Sequence, residues 1–110
     1  MDHIPEADWK VFKPLHELAV ERLKRRILAE FAALVADESK SVDARYHELY
    51  IGVKARDKDL GLAFDGFSRS RAPMQILFMR TWKLITEEEF SRFSEETRST
   101  IKRWQSVREA

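Results

Sequence analysis

The sequence contains no cysteine, and its 110 residues include only three glycines and three prolines. Without cysteine there is no disulfide scaffold, no thiolate metal site and no cysteine nucleophile. So few glycines and prolines leave too little turn chemistry for a β-sandwich or a β-barrel. These absences favour an all-helical domain.

Long apolar runs and a targeting segment are lacking as well. The longest uncharged stretches, such as residues 72–79, are far shorter than the roughly 20 apolar residues that span a bilayer. Residues 1–6 have neither the basic nor the apolar region of a secretory signal. We therefore expect a cytoplasmic protein with no membrane partner.

The length and composition predict one folded domain over residues 1–110. Hydrophobic residues make up 44% of the chain and aromatic residues 11%, which is enough to build a core. Charged residues make up 35%, as is typical of helices with solvated outer faces. Because 20 basic side chains are balanced by 19 acidic ones, a strongly electrostatic nucleic-acid binder is not favoured.

Helix-start and helix-end signals predict a helical hairpin in the first two thirds of the chain. A short lead-in over residues 5–13 precedes Pro14, which starts or kinks a first long helix that ends near Ala36. Ser41 is the predicted N-cap of a second long helix, which frays near Gly66. Two long helices joined by so short a turn predict an antiparallel pair.

The rest of the chain carries the signals of shorter helices. Pro73 is well placed to open a third helix, whose apolar face extends to Ile85. Thr86 followed by Glu89 fits a capping box, and Ser94 opens the last helix. The predicted fold class is all-α, a small helical bundle of two long antiparallel helices plus two or three short ones.

The first long helix is apolar on two sides. One stripe contains large residues: Phe12, Leu23, Ile27, Phe31, Leu34 and Val35. The second consists mostly of small ones: Leu15, Leu18, Ala29, Ala32, Ala33 and Ala36. The second long helix has one stripe, made of Val42, Tyr46, Leu49, Tyr50, Val53, Leu60, Phe64 and Phe67. A helix that is apolar on two sides is usually enclosed, so a second subunit is expected to cover what the short helices leave open, as a homodimer.

Five pieces spread over most of the chain are Arg45-Tyr46, Arg56-Asp57, Phe64-Asp65, residues 84–88 and residues 92–94. Taken together, they resemble a short uncharacterised all-helical protein family from bacteria. The resemblance implies a bacterial cytoplasmic helical protein. It brings no activity, cofactor or catalytic residue with it.

A candidate polar cluster combines His16, Arg56 and Asp57. On a helical wheel, Arg56 and Asp57 fall between Val53 and Leu60, inside the apolar stripe of the second helix. Charges in such a position normally find partners or mark a function. In an antiparallel hairpin, His16 approaches Asp57, so the three side chains predict either a small polar pocket or a structural network that sets the register of the helices.

The sequence shows no catalytic, cofactor-binding or metal-binding motif. The three histidines, His3, His16 and His47, are not spaced four residues apart, and no H-E-x-x-H or Glu-x-x-His pattern occurs. A glycine-rich phosphate loop and a G-x-S-x-G elbow are also absent. We expect no catalytic residue, no cofactor and no metal, and hence a protein that is not an enzyme.

A candidate basic patch lies between Asp65 and Glu87, where there are four basic side chains and no acid. Its members are Arg69, Arg71, Arg80 and Lys83. A break followed by a helix at Pro73 has the outline of a helix-turn-helix entry. Recognition helices need polar side chains to read base edges, however, and the residues that would face the groove, such as Met74 and Leu77, are apolar.

The leading interpretation is a non-enzymatic, cytoplasmic protein-interaction module that self-associates. Two alternatives stay open. One is a small regulatory protein that contacts nucleic acid through the basic patch. The other is a sensor that binds a small ligand in a polar pocket near His16, Arg56 and Asp57.

Overall fold

The computed structural model describes residues 3–109 and contains five helices. They are α1 (Glu6–Ala36), α2 (Val42–Phe64), α3 (Ala72–Thr81), α4 (Glu87–Phe90) and α5 (Glu95–Glu109). No strand occurs between residues 3 and 109, so the predicted fold class, two long helices and a set of short ones, is confirmed. None of these helices combines the length and the apolar character that crossing a membrane requires. Residues 1, 2 and 110 lie outside the described residues. The prediction of one domain over residues 1–110 includes all three of them, and the prediction that residues 1–6 are not a secretory signal includes the first two.

The long helices begin and end close to their predicted limits, with one exception at Pro14. A single helix runs from Glu6 through Pro14 to Ala36, so the predicted lead-in and first long helix are one element. A proline inside a helix costs one backbone hydrogen bond. Here its neighbours Phe12 and Leu15 are buried in the core, and their packing holds the helix across it. Ser41 caps α2 as predicted, its hydroxyl accepting from the Ala44 amide at 3.0 Å.

Helix α3 ends earlier than the apolar pattern predicts. It stops at Thr81, so the predicted extension to Ile85 is wrong. Lys83 adopts a left-handed conformation with φ 55°, which reverses the chain. The Arg26 guanidinium of α1 donates hydrogen bonds to the carbonyl groups of Trp82 and Lys83. This contact from a distant part of the chain stabilises the helix end, and no pattern in the neighbouring residues predicts it.

The molecule has two parts, a compact base and a projecting arm. The base is formed by the beginning of α1, the end of α2 and helices α3 to α5. It contains the whole buried apolar core: Ile4, Phe12, Leu15, Ala19, Ala63, Phe64, Ala72, Ile76, Leu77, Met79, Leu84, Phe90, Phe93 and Ile101. We call residues 20–62 the hairpin arm, and none of them is buried. The overall dimensions, 51 × 28 × 23 Å, reflect this projection.

Gly52 allows the two helices of the arm to approach closely. A β-carbon at Gly52 would lie 2.7 Å from Cε1 of Phe31, whereas one at Gly61 would meet only the exposed carboxylate of Asp65, at 2.9 Å. Alanine is favoured over glycine in a helix by about 1 kcal/mol. We expect Gly61→Ala to raise the free energy of unfolding by up to that amount, because the Asp65 side chain can swing into solvent.

Gly52→Ala is expected to yield no such gain, because the Phe31 ring must move out of its place between the helices. The difference between the two variants should reach about 1–2 kcal/mol in urea denaturation followed by circular dichroism. Equal stabilisation by both substitutions would contradict the close approach of Phe31 to Gly52.

Candidate protein-interaction surface

One side of the hairpin arm is tied to the base by arginines. Arg22 donates two hydrogen bonds to the carboxylate of Glu89, at 2.7 and 3.0 Å, and a third to the Leu84 carbonyl at 2.8 Å. Further along the arm, Arg56 pairs with Glu30 of α1 at 3.2 Å and with Asp59 at 3.1 Å. On this side the charges are paired within the chain, and the apolar side chains of Leu23 and Ile27 are covered in part by Trp82 of the base.

The opposite side of the arm is apolar and uncovered. A groove between α1 and α2 is lined by Leu28, Phe31, Val53 and Leu60, and a second groove near the tip is lined by Val35, Val42, Tyr46 and Leu49. Tyr50 follows Tyr46 by one helical turn and continues this surface. We call this surface the open face. It consists of Lys24, Leu28, Phe31, Val35, Val42, Tyr46, Leu49, Tyr50, Val53, Asp57 and Leu60.

Six side chains of the open face are both large and strongly exposed. Leu28, Val35, Val42, Tyr46, Tyr50 and Val53 are between 48% and 75% accessible to solvent. Isolated exposed apolar residues are common, but contiguous ones over several hundred Å² mark interaction surfaces. The residues on the open face recur at intervals of three, four or seven along each helix, which is the spacing that places side chains on one face for a partner helix.

Two charged side chains on the open face have opposite signs and no partner. Lys24 of α1 and Asp57 of α2 line the same groove from opposite helices. Within residues 3–109, neither forms an ion pair. The neighbouring Arg56 also reaches this groove, but its guanidinium is engaged by Glu30 and Asp59.

The predicted polar cluster is only partly assembled. His16 and Asp57 line one cleft of about 370 Å³ at the foot of the open face, whereas Arg56 is held by its own ion pairs. The His16 ring packs against the rings of Phe12, Phe64 and Phe67, with centroids 5.1–5.5 Å apart.

The environment of His16 is mainly apolar. Its Nε2 atom is buried and has no hydrogen-bond partner among the described residues, so no hydrogen bond joins this atom to Asp57. Burial lowers the pKa of His16 below its ordinary value, which favours the neutral ring at pH 7.

The four residues of the predicted basic patch lie in two places. Arg69 and Arg71 precede α3, while Arg80 and Lys83 lie at its far end, about 15 Å away by the rise of a ten-residue helix. Arg69 pairs with Glu6 at 2.7 Å, and Arg71 donates to the carbonyl of Asp65 at 2.9 Å. Arg80 pairs with Glu87 and also donates to Gln105, both at 2.8 Å. Three of the four basic groups are therefore engaged inside the molecule.

Sequence reasoning missed two residues of the open face, Lys24 and Leu28, and mistook the surroundings of others. Leu28 belongs to neither predicted stripe of the first helix, although it lies three positions before Phe31 and four after Lys24, where a continuing stripe would include it. Tyr46 and Tyr50 share one face of α2, as their spacing predicts. Nothing in that spacing indicates that this face is left without a covering helix.

The described residues contain no group of three or more histidine, aspartate or glutamate side chains arranged to hold a metal ion. Comparison of the chain with known protein families, characterised proteins and solved structures gives no match. The open face is therefore the feature on which a functional proposal rests.

Proposed function

We propose that this protein is a non-enzymatic helical interaction module that self-associates through the open face of its hairpin arm. The observation that carries the proposal is the pair of long helices whose shared apolar surface is uncovered over the whole arm. Exposing such a surface to water is unfavourable by about 25 cal/mol for each Å² of apolar area, so a partner that covers it gains this free energy.

The dimensions of the open face suit a dimer of modest size. The surface is two helices wide and about 16 residues long, or roughly 20 Å by 24 Å by helix geometry. Because side chains project from it, two copies packed face to face would bury on the order of 1,200 Å² in total, at the lower limit of stable interfaces.

The character of the open face favours a second copy of this chain over another partner. Isologous contacts bring the same surface of two subunits together, so that surface must complement itself. The open face does so, since its apolar side chains are accompanied by one unpaired positive and one unpaired negative charge, Lys24 and Asp57. The other cations that reach it are engaged within the chain: Arg45 by the Val35 carbonyl, Arg56 by ion pairs and Lys54 over the Tyr50 ring. Two hairpins packed in this way make a four-helix bundle. We place the module in the cytoplasm, a reducing compartment with which a chain free of cysteine is compatible.

The test compares two leucine variants in solution. We expect the wild-type chain, of 13.0 kDa, to have twice that mass in light scattering after size exclusion. Leu28→Glu introduces a charge on the open face of each subunit and should weaken dimerisation at least about tenfold, since a charge there is desolvated on association. Circular dichroism should show that helix content is unchanged.

The matched control is Leu62→Glu. Leu62 is 74% exposed, comparable with Leu28, but it lies about 200° around α2 from Leu60 and so faces away from the open face. This variant should remain dimeric. A wild-type chain that stays monomeric near 1 mM, or equal behaviour of the two variants, would overturn the proposal.

A second candidate function rests on the cleft at the foot of the open face. The buried, unpartnered Nε2 atom of His16 and the cleft beside it are compatible with a sensor of a small ligand. A thermal shift from a small-molecule panel that disappears in His16→Ala would support that alternative. No comparable feature favours the nucleic-acid alternative, because Arg69, Arg71 and Arg80 are engaged by groups of the chain itself.

A further inference from the structure

The two charges of the open face lie at one level of the hairpin arm. Lys24 and Asp57 line both the central groove and the cleft below it, so they occupy the same height on neighbouring antiparallel helices. In the central groove they lie among apolar side chains such as Leu28, Val53 and Leu60, beside the internally paired Arg56. His16 and Asp65 also line the cleft below. Covering this surface would remove both charges from water, which is costly unless each finds an opposite charge. Within residues 3–109 they do not form an ion pair with each other, so a covering partner has to supply the opposite charges.

Only one of two symmetric ways of stacking two hairpins supplies those partners. A two-fold axis in the interface can run parallel to the helices or across them. With the parallel axis, each α1 packs on α2 of the other copy, and residues at one level stay at that level. With the axis across the helices, α1 packs on the partner's α1 in reverse, and opposite charges are not brought together at the level of Lys24.

We propose that the two-fold axis of the dimer runs parallel to the arm helices, and that Lys24 of each subunit pairs with Asp57 of the partner subunit. This inference rests on the proposed self-association through the open face. It assigns Lys24 and Asp57 as the residues that determine partner orientation, because two salt bridges form in this arrangement and none in the other. Like charges placed face to face are costly, so the same residues exclude wrongly oriented partners.

The parallel axis also matches the apolar residues along the arm. It places Leu28 over the partner's Val53, Phe31 over the partner's Tyr50 and Val35 over the partner's Tyr46, since these residues share levels in each hairpin. The result is an antiparallel, up-down-up-down bundle with both tips at one end. The two bases lie on the outer sides, because α3 contacts the arm from the side opposite the open face.

Charge reversal in separate chains tests the pairing. In a dimer of Lys24→Asp chains, the introduced carboxylate of each subunit would face the carboxylate of the partner's Asp57. In a dimer of Asp57→Lys chains, the introduced ammonium group would face the ammonium group of the partner's Lys24. We expect each variant alone to dimerise at least about tenfold more weakly than wild type. An equimolar mixture should form heterodimers with an affinity within about threefold of wild type, because every facing pair is then opposite in charge.

The mixture is decisive because attraction between charges of one chain cannot account for a recovered affinity. In each variant chain the two charges of the open face are alike, so recovered affinity must come from contacts between chains. Different fluorophores on the two variants allow heterodimer formation to be measured by energy transfer. Lys58→Asp is the charge-matched control, since Lys58 is exposed one position beyond Asp57 and faces away by about 100°; it should dimerise as wild type does.

The outcomes separate this inference from the function on which it rests. A wild-type chain that does not dimerise overturns both. A wild-type dimer with variants that dimerise normally, or a mixture no tighter than either variant alone, overturns the parallel axis and the Lys24–Asp57 pair while leaving self-association intact. Weakening of both variants, with recovery only in the mixture, supports the inference, and unchanged circular dichroism of both variants confirms that neither effect reflects unfolding.

Discussion

Replacing Asp8 by alanine is expected to lower the free energy of unfolding by about 3 kcal/mol, far more than a polar substitution at the surface. Asp8 is 2% exposed and accepts hydrogen bonds from the Ser94 amide at 2.7 Å, the Ser94 hydroxyl at 2.7 Å and the Thr97 hydroxyl at 2.6 Å. It thereby joins the first turn of α1 to the beginning of α5. Alanine removes the acceptor and leaves the fully buried Thr97 hydroxyl without a partner.

Urea denaturation followed by circular dichroism measures this loss. Lys10→Ala, an exposed substitution in the same helix, is the control and should change stability by less than about 0.5 kcal/mol. Combining Asp8→Ala with Thr97→Val should cost less than the sum of the two single changes, because the second variant removes the donor that the first leaves unpaired. A loss in Asp8→Ala no greater than in the control would mean that these hydrogen bonds do not hold α5 in place.

Glu89 is expected to make stability depend on pH in the acidic range. Hydrogen bonds from the Arg22 guanidinium lower the pKa of Glu89 from its ordinary 4.5 to about 2 in the folded chain. A carboxylate with a lowered pKa stabilises the fold fully above pH 4.5, and this contribution is lost as the pH falls toward 2. At pH 7, Glu89→Gln should therefore be less stable than wild type by about 2–3 kcal/mol.

The pH dependence of that difference is the decisive measurement. Unfolding free energies of wild type and Glu89→Gln should converge as the pH is lowered from about 5 to about 2, because Glu89 is then neutral in the unfolded chain and half protonated in the folded one. Glu88→Gln is the control: Glu88 pairs with Arg92 at the surface, and its loss should cost no more than about 0.5 kcal/mol. A constant difference between wild type and Glu89→Gln over this range would show that the bond to Arg22 does not require the charge.

The beginnings of several helices could be predicted because their causes are local. Ser41 bonds to an amide three residues away, and Thr86 and Glu89 form both bonds of a capping box within four residues. Such contacts are encoded by neighbouring residues and need no knowledge of the fold. The same reasoning accounts for the correct prediction of an all-helical chain with an antiparallel hairpin.

Contacts between distant residues account for what sequence reasoning missed. Asp8 meets residues 86 and 89 positions away, and Arg26 fixes the end of α3 across 56 residues. Asp8 lies four residues before Phe12 on a core-facing stripe, which could have marked it as a buried carboxylate. The residues next to Asp8 in the sequence do not indicate that Ser94 and Thr97 are its hydrogen-bond partners.

The helices, their approximate limits and the side chains that share a face of each one follow from the chain alone, because a period of 3.6 residues is a property of the local backbone. Which of those faces are covered depends on how the helices pack in three dimensions. Helices α3 to α5 pack on the beginning of α1, the end of α2 and the inner side of the arm, so the stripe that contains Tyr46 and Val53 is open instead of buried. Periodicity cannot distinguish these two cases, since a stripe that packs on its own chain and a stripe that is left exposed have the same spacing.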